Sequence, residues 1–215
     1  TGGQGGSSGN SDPTISGSSF AISEGASVGA TVGPATGSDP DGDPLTYSIS
    51  AGNSAGLFAI DFSSGVITTA GSLDYETTQS YTLNVSVVDT GSATASADFT
   101  VTVTDTNDNA PVFGQSSYSA SVNDTTSAGT QLVTATATDA DAGSTLIYSI
   151  TAGNGSSLFA INSTSGVVTT DASLLNNSGS HSLTLSASDG TNTGTAVLAI
   201  TVSDLTAPSA PTVTG

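Results

Sequence analysis

The residues with the clearest chemical potential lie in one short stretch near the middle of the chain, residues 105–111, which reads Asp-Thr-Asn-Asp-Asn-Ala-Pro. A calcium ion prefers about six to eight oxygen ligands, which carboxylates, side-chain amides and backbone carbonyls supply. A short segment between two strands presents such groups on alternate sides, and the proline ends the preceding strand. One stretch of this length does not complete a coordination shell. The stretch therefore predicts a calcium-binding linker that draws further ligands from other segments.

The charge balance excludes several classes of partner. The chain contains no Lys or Arg, 18 Asp and Glu residues together, and one His, so its formal net charge at pH 7 is -18. Nucleic acid and anionic membrane surfaces are excluded, because no Lys or Arg is present to neutralise a phosphate. Clustered carboxylates need divalent cations to bring them together, whereas dispersed carboxylates keep a protein soluble. The absence of Cys excludes disulfide and thiolate chemistry.

The same residue types argue against an enzyme. The one His, His181, lies in a Ser/Gly-rich segment before a strand-like run, which predicts a solvated loop histidine. Pairs of acids can hydrolyse glycosides. Here, however, the acids lie within the calcium motifs, and a calcium-bound carboxylate is a poor proton carrier. No catalytic residue and no organic cofactor are predicted.

An internal repeat sets the positions of these acids. The segment at residues 57–69 recurs at residues 158–170, and the segment at residues 45–49 recurs at residues 146–150. A repeat of about 100 residues matches a common domain size. The sequence therefore predicts two tandem domains.

Each half shows the alternation of apolar and polar residues that is typical of β-strands. Residues 99–104 and 196–202 are clear examples, and Gly-containing turn signals separate such runs at short intervals. About seven strands per half are predicted, the number typical of Greek-key sandwiches. The predicted fold is all-β, with two tandem seven-stranded β-sandwiches of immunoglobulin-like architecture.

Composition predicts the boundaries between segments. No run approaches the roughly 20 apolar residues of a membrane span, and no signal peptide opens the chain. The Pro-rich end resembles a linker into a further domain, so the chain is expected to be a segment of a longer array. The predicted segments are a flexible Gly/Ser-rich lead (1–11), a first domain (12–106), a calcium-binding linker (107–111), a second domain (112–204) and an exit linker (205–215).

Short acidic motifs recur along both halves of the chain. Those in the first half are Ser23-Glu24, Asp39-Pro40-Asp41, the Phe-Ala-Ile-Asp stretch, Leu73-Asp74-Tyr75-Glu76, Asp89-Thr90-Gly91 and residues 105–111, and those in the second are Asp139-Ala140-Asp141 and Asp189-Gly190. From about Asp12 to Asp204, the order and spacing of these motifs resemble those of the cadherin repeat. The absence of Lys and Arg and the Thr/Ser/Gly bias resemble the composition of the cadherin-like modules of large repetitive bacterial surface adhesins, which implies adhesion or biofilm roles.

This resemblance implies a set of ligands for about three calcium ions at the linker. The implied ligands of about two of these ions are Glu24, Asp74, Glu76, Asp105, Asp108 and the carbonyl of Thr106. The implied ligands of a further ion are Asn107, the carbonyl of Asn109, Asp139, Asp141 and Asp189, and Asp141 also bridges to the neighbouring ion. The resemblance further implies that calcium converts a flexible linker into a rigid one.

Departures from the family pattern predict weaker metal binding at both ends of the chain. In the second half, residues 174–177 lack both acids of the Leu-Asp-x-Glu motif, and the acid of the first strand is displaced to Asp124. No comparable cluster is therefore expected at the C-terminal end. At the N-terminal end, Asp39, Asp41 and Asp89 form a half-site, which holds at most one weakly bound ion because residues 10–13 are a poor linker.

The resulting hypothesis is a calcium-rigidified extracellular adhesion or spacer segment of a cell-surface or secreted protein. Expected partners are calcium, neighbouring domains or other copies of the chain, and a cell-surface protein or polysaccharide. One alternative is a calcium-dependent carbohydrate-binding module, although the chain has no Trp for a sugar platform. Another is a subunit of a self-assembling extracellular filament, in which a terminal segment pairs with a sheet edge of the next copy.

Overall fold

A computed structural model of the protein describes residues 9–205, and within this range the secondary structure consists of strands. The chain divides between Thr106 and Asn107 into two compact units. Most of the predicted lead (residues 1–8) and of the exit linker (residues 206–215) lies outside the described residues. No helix in the described part is long and apolar enough to cross a membrane.

The first unit contains a four-stranded sheet of order β2-β9-β8-β5, a three-stranded sheet of order β3-β7-β6, and the short pair β1-β4. Its strands are β1 (Thr14–Ile15), β2 (Ser19–Ser23), β3 (Thr31–Pro34), β4 (Gly37–Ser38), β5 (Thr46–Ala51), β6 (Phe58–Ile60), β7 (Val66–Thr69), β8 (Ser80–Val88) and β9 (Thr94–Thr104).

The second unit repeats this topology, with sheets of order β11-β18-β17-β14 and β12-β16-β15 and the short pair β10-β13. Its strands are β10 (Val112–Phe113), β11 (Ser117–Asn123), β12 (Gln131–Thr134), β13 (Ala137–Thr138), β14 (Ile147–Ala152), β15 (Phe159–Ile161), β16 (Val167–Thr170), β17 (Gly179–Ser188) and β18 (Thr193–Ser203). The predicted all-β fold with two tandem sandwiches is confirmed.

Each core is formed by the apolar side chains that alternate with polar ones along the long strands. In β9, Phe99, Val101 and Val103 are buried, whereas the intervening threonines are half-buried or exposed. Because successive side chains of a strand point to opposite faces, one face of the four-stranded sheet is apolar and packs against the three-stranded sheet. In the second unit, Leu198 and Ile200 of β18 make the matching contribution.

Each unit has nine strand segments within the described residues, where the sequence predicts about seven strands. The number is higher because some of the predicted strands are interrupted. In the first unit, three residues separate β1 from β2, and Ala35 and Thr36 separate β3 from β4. Ala35 is buried, and its N–H donates to the carbonyl of Gly65 at 2.8 Å, away from the strand ladder. The interruption lets the two parts of one strand pair with different partners, β7 and β1.

The first long strand of each unit pairs with the last one in parallel. In the first unit, β2 pairs with β9 from Ser19↔Thr100 to Ser23↔Thr104. In the second unit, β11 pairs with β18 over the longer register from Ser117↔Val197 to Asn123↔Ser203. All other strand pairs are antiparallel. The parallel pair carries the chain to the end of the sheet where the predicted linker begins.

The β6–β7 hairpin of the first unit is closed by Asp61. Its Oδ1 accepts the backbone N–H of Ser64 at 2.7 Å, the N–H of Ser63 at 3.0 Å and both serine hydroxyls. These bonds, led by the N–H of Ser64, lower the pKa of Asp61 from 3.8 to about 2. Gly65 follows at a φ of 71°, and a Cβ on it would meet the Ala35 carbonyl oxygen at 2.3 Å, so this turn requires glycine.

The structure corrects the sequence interpretation of His181. This residue is not in a solvated loop: it lies within β17, is half-buried, and has an Nε2 atom 2.9 Å from the carbonyl oxygen of Asn177. Its ring packs edge-on against Phe159 at 5.5 Å, as Tyr81 packs against Phe58 at 5.1 Å in the first unit. The Ser/Gly neighbours that suggested a turn are accommodated in the strand. His181 is thus a packing residue in the place of a tyrosine.

The aromatic residues do not form an exposed platform. Tyr47, Tyr118 and Tyr148 are buried, and the other two tyrosines pack partly buried against the core of the first unit. Among the described residues, Phe62 is the one strongly exposed aromatic side chain, at 69%. A single ring gives little support to the carbohydrate alternative, because sugars usually stack on larger aromatic surfaces.

Candidate metal centre

Glu24 is a buried acid of the first unit, and backbone hydrogen bonds fix it at the end of the four-stranded sheet. It follows β2 directly and is 7% exposed. Its N–H donates to the Thr104 carbonyl at 3.1 Å, Oε1 accepts the N–H of Thr106 at 2.8 Å, and Oε2 accepts the N–H of Tyr75 at 2.6 Å. The carboxylate is therefore held rigidly beside the last residues of β9.

Two further acids approach Glu24. Glu24, Glu76 and Asp105 each offer an oxygen within 4.8 Å of the others, a spacing that suits a shared cation. Among the described residues, Asp74 is not part of this group. Its Oδ1 accepts the N–H of Thr77 at 2.9 Å and its Oδ2 accepts the hydroxyl of Thr77 at 2.9 Å. Asp74 thus caps a local turn with both of its oxygens.

The second unit brings together Asp139, Asp141 and Asp189, whose ligand oxygens also lie within 4.8 Å of one another. Oδ1 of Asp139 accepts the N–H of Asp141 at 2.9 Å, which fixes the Asp-Ala-Asp turn. Asp141 is only 5% exposed and accepts two bonds from Asn109, one from its N–H at 3.1 Å and one from Nδ2 at 2.9 Å. The turn after β13 is thereby attached to the linker segment.

Asp189 enters this group from the loop between β17 and β18. Its Oδ1 accepts the N–H groups of Thr191 and Asn192, both at 2.6 Å. Desolvation raises the pKa of Asp189, but the backbone hydrogen bonds from Asn192 and Thr191 outweigh it, so the pKa lies below the ordinary 3.8. The group is therefore ionised at neutral pH and contributes negative charge to the cluster.

The second-unit cluster fits a bound cation. Oδ2 of Asp139 and Oδ2 of Asp189 are buried and have no hydrogen-bond partner. A buried, unpaired carboxylate oxygen is costly, and buried charges in proteins are paired or bind metals. Because the sequence has no Lys or Arg, no such side chain can supply the partner. An all-oxygen ligand set favours a hard divalent cation such as calcium over zinc.

The linker residues are arranged by Asn192, which the sequence analysis missed. Its Nδ2 donates to Oδ1 of Asn107 at 3.2 Å and to the carbonyl oxygen of Asn109 at 3.0 Å. These contacts join residues 85 and 83 positions apart, so no local pattern indicates them. The one available signal is an amide residue three positions after the acid Asp189.

The two remaining predicted ligands lie beside these clusters. Thr106 belongs to the first unit, where its hydroxyl lies 2.9 Å from the hydroxyl of Ser23. Asp108 belongs to the second unit, is exposed, and accepts a bond from Nδ2 of Asn109 at 3.0 Å. Neither contact removes the Thr106 carbonyl or the Asp108 carboxylate from use as a ligand, because both retain further lone pairs.

The predicted N-terminal half-site has a similar backbone pattern but different occupants. Asp39 Oδ1 accepts the N–H of Asp41 at 2.8 Å, and Asp39 Oδ2 is buried without a partner. Asn10 Nδ2 donates to Asp89 Oδ2 at 2.8 Å, and the N–H of Ser11 donates to Asp41 Oδ2 at 2.6 Å. Within residues 9–205, these three acids do not form a group of the kind seen in the second unit. Donors from the predicted lead occupy part of the half-site.

At the far end of the second unit, Asp124 occupies the place that Glu24 has in the first. Its N–H donates to the Ser203 carbonyl at 2.9 Å, and its Oδ1 accepts the N–H of Leu205 at 3.0 Å. The sequence analysis expected a displaced acid here, but Asp124 makes the same backbone contacts as Glu24 and is therefore at the matching position. The spacing between the repeats changes slightly along the chain, which made a matched position look shifted.

Comparison with known proteins agrees with this organisation. The model of the cadherin domain family matches residues 18–104 and 118–203. Protocadherin Fat 4 of Homo sapiens is 40% identical over 133 residues, 60% of this chain and 3% of that protein. Cadherin-23 of Mus musculus is 42% identical over 130 residues, 58% of this chain and 4% of that protein. The chain thus spans only 3% to 4% of the length of these relatives.

Solved structures show the same two-repeat fold. Human Protocadherin-24 EC1-2 has a TM-score of 0.78 and 31% identity, covering 92% of this chain and 100% of that one. Mouse Cadherin-23 EC22-24 has a TM-score of 0.78 and 30% identity, covering 90% of this chain and 65% of that one. These similar proteins are of animal origin, so they do not show the bacterial adhesin setting that the composition suggested.

Proposed function

Because this chain belongs to the cadherin domain family, whose repeats are extracellular parts of cell adhesion proteins, we propose that it is a calcium-stiffened adhesion or spacer segment. In this proposal, calcium bound around the linker restrains the joint between the two repeats. The segment then transmits force and presents binding surfaces elsewhere in a longer protein. No catalytic step is part of the proposal, since cadherin domains are adhesion modules.

The observation that carries the proposal is the pair of buried, unpartnered carboxylate oxygens on Asp139 and Asp189. They belong to a group of three acids that lies beside the linker residues Asn107 and Asn109. A second three-acid group, built on Glu24, lies at the other end of the linker sequence, within the first unit. A protein without Lys or Arg has to take the neutralising charge for both groups from solution.

The physical consequence of calcium removal follows from charge repulsion. Several ionised carboxylates near one linker repel one another, and nearby like charges interact by about 1 kcal/mol even in bulk water. Calcium replaces this repulsion with attraction to a shared ion and adds its binding free energy to the ordered state. We therefore expect the linker to be ordered with calcium and loosened without it.

We propose the type of parent protein from the composition of the chain. The absence of Lys and Arg and the abundance of Ser, Thr and Gly support a large, repetitive bacterial surface adhesin as the parent protein. Cadherin repeats interact with neighbouring repeats and with copies of themselves. Such contacts, together with a cell-surface protein or polysaccharide, are the partners proposed for this segment.

Small-angle X-ray scattering of the 215-residue chain tests the proposal. The profile is recorded in millimolar calcium and again with excess chelator. We expect scattering from a well-defined particle in calcium and from a flexible two-domain chain in chelator. Identical profiles in both conditions, together with no calcium binding by calorimetry, would show that the acids are ordinary surface charge.

Matched variants localise the effect. Asp108→Ala and Asp141→Ala are expected to give flexible scattering even in millimolar calcium, while circular dichroism shows that each sandwich stays folded. Asp98→Ala is the control, because it removes the same charge from an exposed position in β9 whose carboxylate accepts a bond from Asn84. If all three variants behaved alike, total charge rather than the clusters would control the linker.

A further inference from the structure

Asn192 connects the loop after β17 to the linker segment through a single amide group. Its Nδ2 uses its protons on two different oxygens, Oδ1 of Asn107 at 3.2 Å and the backbone oxygen of Asn109 at 3.0 Å. Its own backbone N–H donates to Oδ1 of Asp189 at 2.6 Å. One half-buried residue therefore contacts three groups that belong to the proposed metal centre.

The contacts are of a kind that orders ligands without competing for the ion. An amide NH2 is a donor, so Nδ2 cannot itself bind a cation. A carbonyl oxygen has two lone pairs, so it can accept one hydrogen bond and still coordinate a metal. Partners that hydrogen-bond to metal ligands from outside the coordination shell fix ligand orientation and often control metal affinity.

Without such a donor, the two linker oxygens would have to be ordered at the moment of binding. Asn107 is exposed, and its side chain would otherwise sample several rotamers. Fixing a polar side chain in one rotamer costs conformational entropy. A hydrogen bond that already holds it in the calcium-free protein removes part of this cost from the binding step.

The first unit provides an internal comparison. Its loop after β8 is one residue longer, and the residue that corresponds to Asn192 is Ala93, whose N–H donates to Oδ1 of Asp89 at 2.8 Å but which has no side-chain amide. The side chain that reaches the neighbouring acid, Asp89, comes instead from the N-terminal segment, where Asn10 donates directly to the carboxylate. The acids of that half-site do not form a three-carboxylate group within the described residues. Among the residues that the structure describes, the second unit thus combines a three-carboxylate group with a side-chain amide that bridges two linker oxygens, and the half-site of the first unit does not.

We propose that Asn192 is a positioning residue for calcium, which holds the oxygens of Asn107 and Asn109 in place before the ion binds to the second-unit cluster. This inference rests on the proposed calcium function and assigns to it a residue that is not itself a ligand. It predicts that replacing Asn192 weakens calcium binding without abolishing it, because the carboxylates remain.

Calcium titration of the ¹⁵N-labelled full chain by NMR tests the inference at each site separately. The amide of Thr191, which donates to Asp189, reports on the second-unit cluster, and the amide of Tyr75, which donates to Glu24, reports on the first. We expect Asn192→Ala to raise the calcium midpoint at Thr191 by about 10-fold, the usual cost of losing such a partner, with a smaller change at Tyr75.

Two further variants and a stability measurement make the test specific. Asn192→Ser keeps a polar side chain and should behave like Asn192→Ala, because its hydroxyl is too short to bridge both oxygens, and Asn192→Ala itself introduces the residue of the first unit. Ser92→Ala, in the corresponding loop of the first unit, is the control and should leave both midpoints unchanged. In chelator, thermal unfolding of Asn192→Ala should resemble that of the unmodified chain, and ¹⁵N relaxation should show Asn107 becoming more mobile.

The possible failures are distinguishable. If the unmodified chain shows no calcium response at either amide, the proposed function is wrong. If it binds calcium and Asn192→Ala has the same midpoint at Thr191 within about twofold, the positioning role is wrong and the calcium function stands. If Asn192→Ala unfolds at a lower temperature in chelator but binds calcium with an unchanged midpoint, Asn192 has a purely structural role.

Discussion

At the scale of single residues, the two hairpins closed by Asp61 and Asn162 form a natural comparison. In both, Oδ1 of the first residue accepts the N–H groups of the residues two and three positions later. The geometry of the turn therefore does not depend on charge. Only the carboxylate gains from charge-assisted hydrogen bonds, and this gain appears as the lowered pKa of Asp61.

We expect Asp61→Asn to lower stability at neutral pH and to have little effect in strong acid. Because the folded-state pKa of Asp61, about 2, lies below the ordinary 3.8, its contribution is complete above about pH 4 and is lost as the pH falls toward 2. The measurement is the thermal midpoint of both proteins between pH 2 and 7. The reciprocal change, Asn162→Asp, should raise the midpoint over the same pH range. A difference between Asp61→Asn and the unmodified chain that is constant with pH would contradict the assignment.

The acids of the candidate site could be identified from sequence because their motifs are short and local. The Asp139-Ala140-Asp141 turn repeats the Asp-x-Asp pattern of residues 39–41, and Asp189 corresponds to Asp89 in the first half. Asn192 could not be identified in this way, since its role depends on contacts with residues more than 80 positions away. Sequence also did not show that Thr77 engages both oxygens of Asp74, because the resemblance assigned Asp74 to the ligand set and left this local turn contact out of account.

At the scale of strands and hairpins, the aromatic pairs Phe58–Tyr81 and Phe159–His181 occupy matching places in the two units. Both are edge-to-face contacts between the three-stranded sheet and the long strand that faces it. Such pairs contribute about 0.5–1.5 kcal/mol beyond the burial of their surface. The equivalence indicates that the position needs an aromatic ring, which either a phenol or an imidazole can provide.

We therefore expect His181→Tyr to change the free energy of unfolding by less than about 0.5 kcal/mol, because the first unit already uses Tyr here. His181→Ala should cost about 1–2 kcal/mol, because it removes the ring contact with Phe159 and leaves a gap. Denaturant unfolding of both variants provides the measurement. An equal loss in the two variants would mean that the imidazole makes a contribution that a phenol cannot replace.

Sequence alternation predicted the long strands well and the short ones poorly. Strands β8, β9, β17 and β18 each place apolar residues at every second position, so the pattern is carried by many residues. The pair β1–β4 consists of two-residue segments, and its existence depends on tertiary hydrogen bonds such as that from Ala35 to Gly65. Local sequence contains no signal of that kind.

At the scale of the whole molecule, the formal charge of -18 without a single Lys or Arg is a general source of repulsion. In the chelated protein this repulsion is opposed only by salt, whose screening length is about 10 Å at 0.1 M. Calcium acts differently, because it binds where the carboxylates are clustered. Monovalent salt and calcium should therefore both stabilise the chain by reducing the same repulsion, so that each has a smaller effect when the other is present.

We expect the thermal midpoint in chelator to rise as sodium chloride is increased from about 0.02 to about 0.5 M, since screening weakens the repulsion. In millimolar calcium the same salt increase should have a smaller effect, because the densest charge is already neutralised. Calorimetric scans across both series provide the measurement. Parallel salt dependences in the two conditions would indicate that calcium does not reach the acidic clusters.

The tandem organisation and the all-β class were predictable because the chain repeats its own motifs about 100 residues apart, a signal that does not depend on any local propensity. The predicted domain boundaries follow from composition and motif position and stay predictions. The type of parent protein was harder to predict from the sequence, because composition indicated a bacterial adhesin whereas the similar proteins found are animal cadherins.

The parallel pairing of the first and last long strands sets the direction in which each unit resists stretching. When a unit is pulled by its two ends, β2 and β9, or β11 and β18, are drawn in opposite directions along their own axes. The ladder is then sheared, and its hydrogen bonds bear the load together instead of opening one after another. Because the register of β11 with β18 runs from Ser117 to Asn123, whereas that of β2 with β9 runs only from Ser19 to Ser23, the second unit has the longer clamp. Under tension, the first unit should yield first and act as the extensible element of the pair.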